Sequence, residues 1–350
     1  MIKRLSLTLL CLCLCLSVGC KKNNEILSVD RGDEPSVSDV VEEIPEFAVN
    51  PLTGLEDLTY GKENDRPVAF SINNINVAQP VQTGLGKADI VYETEVEGGI
   101  TRLVAVYQDI SKIEKLGTVR SARYAFIDIA MGHNAFFVHH GQDNEHAGPH
   151  LKDVDRLVVS ENVAGVRLSN GLAIEHTLYA YGDAVWNKLV SEGFTTKNSN
   201  AKAWQKFADE KSPVTFTNTA NKVTVPFSAS YHTTMQYDAE TGKYIRISNG
   251  NERKDYVTGE SLYFKNVYVL STTIRAYSPC TYPGGHMQVS LESGDGYYIS
   301  NGTYTPIKWS KGAASNPFEF TLEDGTPLTV NAGNSWVCIA DATRSQPTFE

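Results

Sequence analysis

Beyond its first twenty residues this chain carries little sulfur. Of six cysteines, Cys11, Cys13, Cys15 and Cys20 stand at the start, and Cys280 and Cys338 remain. Neither of these has a convincing paired base, and no G-x-S-x-G is present, which sets aside nucleophilic catalysis of the familiar kinds. Positive charge is scarce as well, with 31 Lys and Arg against 41 Asp and Glu. Removing residues 1–19 takes away two bases and no acids, so 29 bases face 41 acids and the net charge becomes −12. That balance argues against nucleic acid as a partner and against a polybasic grip on anionic lipid. No internal repeat and no cofactor fingerprint is visible, so no cofactor is expected. The apolar run from Leu5 to Val18 is too short for a good membrane span.

That run has another reading. Lys3-Arg4 is a basic n-region, Leu5 to Val18 an apolar h-region, and Gly19-Cys20 the end of a lipobox, although Ser17 stands where the pattern prefers Leu. We read residues 1–19 as a lipoprotein signal peptide and Cys20 as the lipidated residue; ordinary cleavage that leaves Cys20 free is the alternative. Acyl chains contribute about 0.8 kcal/mol per buried CH₂, enough for durable anchoring. Residues 20–48 then form a tether. Glu25 to Glu46 holds eight acids and one base with no periodicity, the composition of a disordered segment. Such a segment spans roughly 30 Å root-mean-square. The expected location is the extracytoplasmic face of a cell membrane.

The folded part is organised around Asp89 to Asp128. In ADIVYETEVE, Ile90, Tyr92, Thr94 and Val96 fall on one face and Val91, Glu93, Glu95 and Glu97 on the other. Gly98-Gly99 reads as a two-residue hairpin loop, because both central positions of such a turn can need φ > 0. That loop pairs Glu97 with Ile100, Glu95 with Arg102 and Glu93 with Val104, and gathers three carboxylates and Arg102 on one face. A slip of one residue would bury the acids. Downstream, Ser121 is an N-cap candidate, Gly132 a stop, and Ala122, Phe126 and Ile129 an apolar stripe. Arg120 and Arg123 would flank the helix N-terminus, a setting suited to an anion. The competing reading is a structural salt-bridge network with Glu93, Glu95 or Glu97.

Residues 67–75 read as a strand and 135–141 as a buried strand ending in His139 and His140. Residues 183–193 read as a helix burying Trp186, Leu189 and Val190, and 200–211 as a shorter helix with Trp204 and Phe207. The segment 139–150 contains His139, His140, His146, His150, Asp143 and Glu145. Its spacing matches no helical H-E-x-x-H site, and a polar loop is favoured over a metal site, so no metal is assigned. His139 and His140 stay candidates for ligand binding, because α/β sheets place ligands at strand ends. From about 216 the pattern is short strands with Asn301-Gly302 and Asp324-Gly325 turns, and Trp309 and Trp336 read as core. Cys280 and Cys338, a single pair in an exported protein, are expected to form a disulfide. The expected fold is a mixed α/β or α+β N-terminal domain (49–215) followed by a smaller, mostly antiparallel all-β domain (216–345).

NPLTGL (50–55), RPVAFSINN (66–74), GLGKADIVYETEVEGGITRL (84–103), LGTVRSAR (116–123), FVHHG (137–141), WSK (309–311) and DGTPLTVNAGNSWV (324–337) resemble the YerB-like bacterial lipoproteins. This family's two halves are domains of unknown function. The resemblance covers nearly all of 50–340 and implies a surface-anchored lipoprotein without an assigned activity. Where that family has Pro-His-Asn-Leu-Tyr, this chain has Glu175-His176-Thr177-Leu178-Tyr179, so His176 carries over as a candidate and the Asn does not. Two functions remain. One is a binding or adaptor module in the cell envelope, with an anionic-ligand site among Glu93, Glu95, Glu97, Arg102, Arg120, Arg123, His139, His140 and His176, and an envelope protein or anionic envelope ligand as partner. The alternative is a metal-assisted enzyme acting on phosphate-bearing envelope precursors.

Overall fold

The β-branched and aromatic runs of the first half form strands β1 (Val68–Asn73), β2 (Ile90–Glu95), β3 (Thr101–Tyr107), β4 (Phe136–His139) and β5 (Arg156–Val158). They are nearly all buried on both faces, which is why the alternation of the sequence is weak there. The computed structural model describes residues 46–198 and 202–350. The expected signal peptide, Cys20 and the expected tether up to residue 45 lie outside the described residues, whereas Phe47–Ala48, expected to belong to the tether, pairs as a short strand with Leu58–Thr59. The longest helices of the first half are α1 (Tyr124–Gly132) and α2 (Gly182–Ser191), and a small three-stranded sheet lies beside them in sequence. No helix among the described residues is long and apolar enough to cross a membrane.

Past residue 216 the regular structure is all strand, joined by turns, as the turn signals of the sequence imply. The main elements are β6 (Asn218–Thr219), β7 (Lys222–Ser228), β8 (Tyr231–Asp238), β9 (Lys243–Ser248), β10 (Asn266–Thr272), β11 (Ser293–Ser300), β12 (Thr303–Ser310), β13 (Glu319–Thr321) and β14 (Ser335–Asp341). Asn301 and Gly302, both at positive φ, close the β11–β12 hairpin. An eleven-stranded sheet runs β6-β12-β11-β10-β14-β2-β3-β1-β4-β5, with β13 beside β12. Chain from both sides of residue 216 therefore contributes to one sheet, joined where β14 pairs in parallel with β2. A second sheet built on β7, β8 and β9 covers one face together with α2, and α1 covers the other.

Several expectations need correction. Glu95 pairs with Thr101, Thr94 with Arg102 and Glu93 with Leu103. The loop holds three residues, Glu97-Gly98-Gly99, closed by the Val96 N–H on Ile100 O at 2.8 Å. Both glycines do take positive φ, +74° and +70°. Moving Glu97 from the strand into the loop shifts the register by one, and Arg102 leaves the face of Glu93 and Glu95. Helix α1 begins at Tyr124, with Arg123 rather than Ser121 at its N-cap, because the Ala122 N–H is already bonded to Gly141 O at 3.0 Å.

Among the described residues of 200–211 there is no helix. The Trp204 N–H bonds Pro51 O at 2.7 Å, and Lys206–Phe207 pairs with Thr329–Val330. Extended partners there satisfy the backbone that a helix would have satisfied itself. In α2, Val185 and Leu189 are buried while Val190 faces solvent. The expected disulfide is not formed, and Cys280 and Cys338 are both free. Cys338 is buried in β14 opposite Glu93, whereas Cys280 lies in a half-exposed loop and donates to Glu145.

Candidate functional site

Strands β1 and β4 run parallel, and the extended segment 119–122 wedges between their carboxyl ends. Val119 bridges Ile72, the Arg120 N–H bonds Ser71 O at 2.8 Å, and the His140 N–H bonds Arg120 O at 3.0 Å. Such splayed strand ends are where α/β sheets hold ligands. The wedge presents Arg120 and Arg123. Antiparallel β3 starts at the same edge, and its Arg102 lies directly opposite Asn73 of β1. Glu97, released into the hairpin loop, reaches the same place.

Glu97 is the carboxylate at the centre of this group. Arg123 donates to it from Nε at 2.8 Å and also from Nη2. Arg102 Nη2 lies 3.6 Å from Glu97 Oε1, and His286 Nδ1 lies 3.7 Å from Oε2. Arg102 also donates to Ser121 O at 3.0 Å and Arg123 to Ala122 O at 2.8 Å. Arg120 makes no ion pair here: its Nη1 donates to Glu175 O at 3.1 Å, and its Nε is buried without a partner.

The electrostatics follow from that crowding. Burial opposes ionisation of Glu97, but the hydrogen bonds and charge of Arg123, with the charge of Arg102, outweigh it and hold the carboxyl at about 2. Burial pulls Arg102 down to about 9, and the neighbouring Arg123 adds to the effect more than Glu97 relieves it. Burial also lowers Arg120, which Glu175 partly offsets and Arg123 reinforces. Two guanidinium groups thus share the Glu97 carboxylate with a third, Arg120, close enough to repel them, and the cluster carries surplus positive charge.

The other expected residues divide. Asn73 Nδ2 lies 2.8 Å from His176 Nδ1 beside the wedge, and burial together with Arg120 lowers the imidazole's pKa. His140 Nδ1 pairs with Val159 O at 2.7 Å and His139 Nδ1 with Gly141 O at 2.8 Å. Burial keeps His139 biased to the neutral form. Thr177, in the position where an Asn was expected to be lost, donates to Ile174 O at 2.8 Å.

Glu93 and Glu95 do not join the arginine cluster. Glu93 is buried on the opposite face and accepts hydrogen bonds from Asn74, Thr101, Thr233 and Trp336, at 2.7 to 3.1 Å. Glu95 pairs with Arg344 Nη2 at 3.1 Å, and burial raises its pKa in spite of that partner. The three carboxylates expected to converge lie in three environments. His286 is not among the expected residues, and it comes from the strand-rich second half of the chain. Its partner lies nearly two hundred residues away, and no local motif announces it.

Comparison with known proteins bears on this arrangement. Residues 52–195 match the family model described as "Protein of unknown function (DUF3048) N-terminal domain", and residues 223–337 match its C-terminal domain. The chain belongs to the DUF3048 family. A Bacillus subtilis (strain 168) relative named "Putative lipoprotein YerB" is 29% identical over 303 residues, covering 83% of this chain and 85% of the relative. The crystal structure of the YerB protein from Bacillus subtilis is similar with a TM-score of 0.73 at 26% identity, over 85% of this chain and 98% of that one. Both family segments contribute to the site, since the arginines lie within the first and His286 within the second.

Proposed function

We propose that this DUF3048 protein is a lipid-anchored binding module of the cell envelope, and that its arginine cluster captures an anionic group. One observation carries the reading: Arg102 and Arg123 converge on the single carboxylate of Glu97, and neighbouring Arg120 keeps a buried Nε with no acceptor. A phosphate or carboxylate would supply the missing acceptor and neutralise the surplus, with planar forks suited to its oxygens. The n-region, the h-region and Gly19-Cys20, together with the name of the Bacillus subtilis relative, support the anchor. The extracytoplasmic face follows from export.

The decisive experiment is anion titration of the full processed chain. Inorganic phosphate should raise the unfolding midpoint, and the effect should fall as chloride rises. Arg120→Ala should abolish the effect while leaving the anion-free midpoint nearly unchanged, because Arg120 forms no ion pair. No phosphate response in the unmodified protein would reduce the cluster to a structural network.

A further inference from the structure

A second group of side chains assembles from the loop after β4 and the loop before β11. One ligand atom each of Glu145, His146 and Cys280 lies within 4.8 Å of the others, and Asp143, Glu145 and His286 meet the same limit. The first loop is held by Asp143, which is buried. Its Oδ1 accepts the Glu145 N–H at 2.8 Å and the His146 N–H at 3.3 Å, and its Oδ2 accepts the Ala147 N–H at 3.2 Å. These bonds fix Glu145 and His146 side by side.

From the second loop, Cys280 Sγ lies 3.1 Å from Glu145 Oε2 and accepts the His286 N–H at 3.3 Å. The Thr281 N–H donates to both Glu145 oxygens, at 3.0 and 3.1 Å. One imidazole nitrogen here, His146 Nε2, is buried with no hydrogen-bond partner; His286 Nδ1 has none either, but it faces Glu97 Oε2 at 3.7 Å. His286 as a residue is only 7% exposed, and its Nε2 lies 3.3 Å from Asp143 Oδ1. Such orphaned nitrogens are costly unless something binds them.

We propose that Glu145, His146 and Cys280 bind a divalent transition metal, with zinc the best match to the donor set, and that a fourth position stays open beside His286. Thiolate, imidazole and carboxylate together select zinc over magnesium or calcium. Tetrahedral zinc with ordinary bond lengths separates its oxygen and sulfur ligands by about 3.5 Å, so the observed Glu145–Cys280 spacing needs little adjustment. The His286 N–H on sulfur and the Thr281 N–H on the carboxylate are the outer hydrogen bonds that hold such ligands in place. Cys280 gives up its proton to solvent on binding, and no redox step is involved. Each of the three ligands is partly exposed, so the ion has a way in.

The inference does not rest on anion capture, and it is tested in phosphate-free buffer so that either can fail without the other. The full processed chain, stripped with a chelator and titrated with cobalt, should bind one equivalent. It should show a thiolate-to-cobalt charge-transfer band and the visible bands of a tetrahedral ion. Zinc should displace cobalt and protect Cys280 from alkylation, read by peptide mapping without any mutation. Cys280→Ser should remove the charge-transfer band, and His146→Gln should weaken binding by more than about tenfold. Cys20→Ser should change neither. Failure of the unmodified chain to retain cobalt or zinc overturns the proposal. So does a charge-transfer band that survives Cys280→Ser, or Cys280 alkylating equally fast with and without zinc.

Discussion

Glu93 and Glu97 are four residues apart in one hairpin, and they are put to opposite uses. Glu93 is wholly buried between the large sheet and the sheet of β7, β8 and β9. Its oxygens are satisfied by an amide, two hydroxyls and an indole N–H drawn from five separate stretches of chain if Glu93's own strand is counted. Buried Arg246 completes this interior network through Asn74 Oδ1, at 3.0 Å, with its guanidinium 4.6 Å over the Trp336 ring. Glu97 stands at the rim, where it faces more cations than it can neutralise. A carboxylate supplied with all its donors joins elements together; one outnumbered by guanidinium groups leaves a positive site that can still accept an anion. The lesson is that net local charge and completeness of hydrogen bonding, rather than the presence of acids and arginines, separate a structural network from a binding site.

The largest effect is expected at Glu93. Glu93→Ala leaves Asn74, Thr101, Thr233 and Trp336 without their acceptor and removes the carboxylate whose charge favours ionised Arg246. Stranding a buried charge costs about 3–5 kcal/mol. That is a large part of the 5–15 kcal/mol that ordinarily stabilises a folded protein. Urea unfolding should show a loss of that size, and pairing the change with Arg246→Met should recover part of it. A single-variant loss below about 1 kcal/mol would mean that the network does not join the two halves.

Glu97 should behave differently, and pH exposes it first. A carboxyl held near 2 in the fold, against about 4.3 in the unfolded chain, contributes stability that is fully present above pH 4.3. That contribution is lost as pH falls toward 2. With its side chain 12% exposed, we expect about 1–3 kcal/mol after allowing for solvent screening. Glu97→Gln should flatten this part of the acid-unfolding curve. At pH 7 the same variant should be less stable in anion-free buffer, recover on addition of phosphate, and bind phosphate more tightly than the unmodified protein. Equal phosphate affinity in the two proteins would show that Glu97 does not compete with an anion.

How much of this was legible in the sequence depended on the range of the interaction. The strands at 67–75 and 135–141, the Asn301-Gly302 turn and the burial of Trp309 and Trp336 were readable because period and turn chemistry are local. The gathering of Arg102, Arg120 and Arg123 was foreseen, although through the wrong register. A glycine pair does not disclose whether Glu97 belongs to the strand or to the loop; the arginines that hold its side chain decide that. The parallel pairing of β14 with β2 had no signal at all, since parallel neighbours come from distant chain. It makes one sheet out of two segments that each read as self-contained. His286 and Cys280 reach the first half in the same long-range way, and a cysteine pair in an exported chain suggested a bond that the fold does not make.

The smallest effect is expected at the third carboxylate, which lies between the two extremes. Glu95 is buried, but its partner Arg344 has a side chain 45% exposed that also reaches Asp341 at 3.4 Å. Burial already raises the Glu95 pKa, and Arg344 opposes that rise. Arg344→Ala should therefore raise it further and leave the carboxyl to protonate at higher pH. Because the acid can take up a proton and escape the penalty of an unpaired buried charge, the variant should lose no more than about 1 kcal/mol at neutral pH. The loss should shrink as the solution is acidified, since protonated Glu95 has no charge for Arg344 to compensate. Unfolding midpoints at pH 5 and pH 8 measure it. A loss comparable to that of Glu93→Ala would place Glu95 in the interior network with Glu93, and the boundary between that network and the rim of the hairpin would then have to be redrawn.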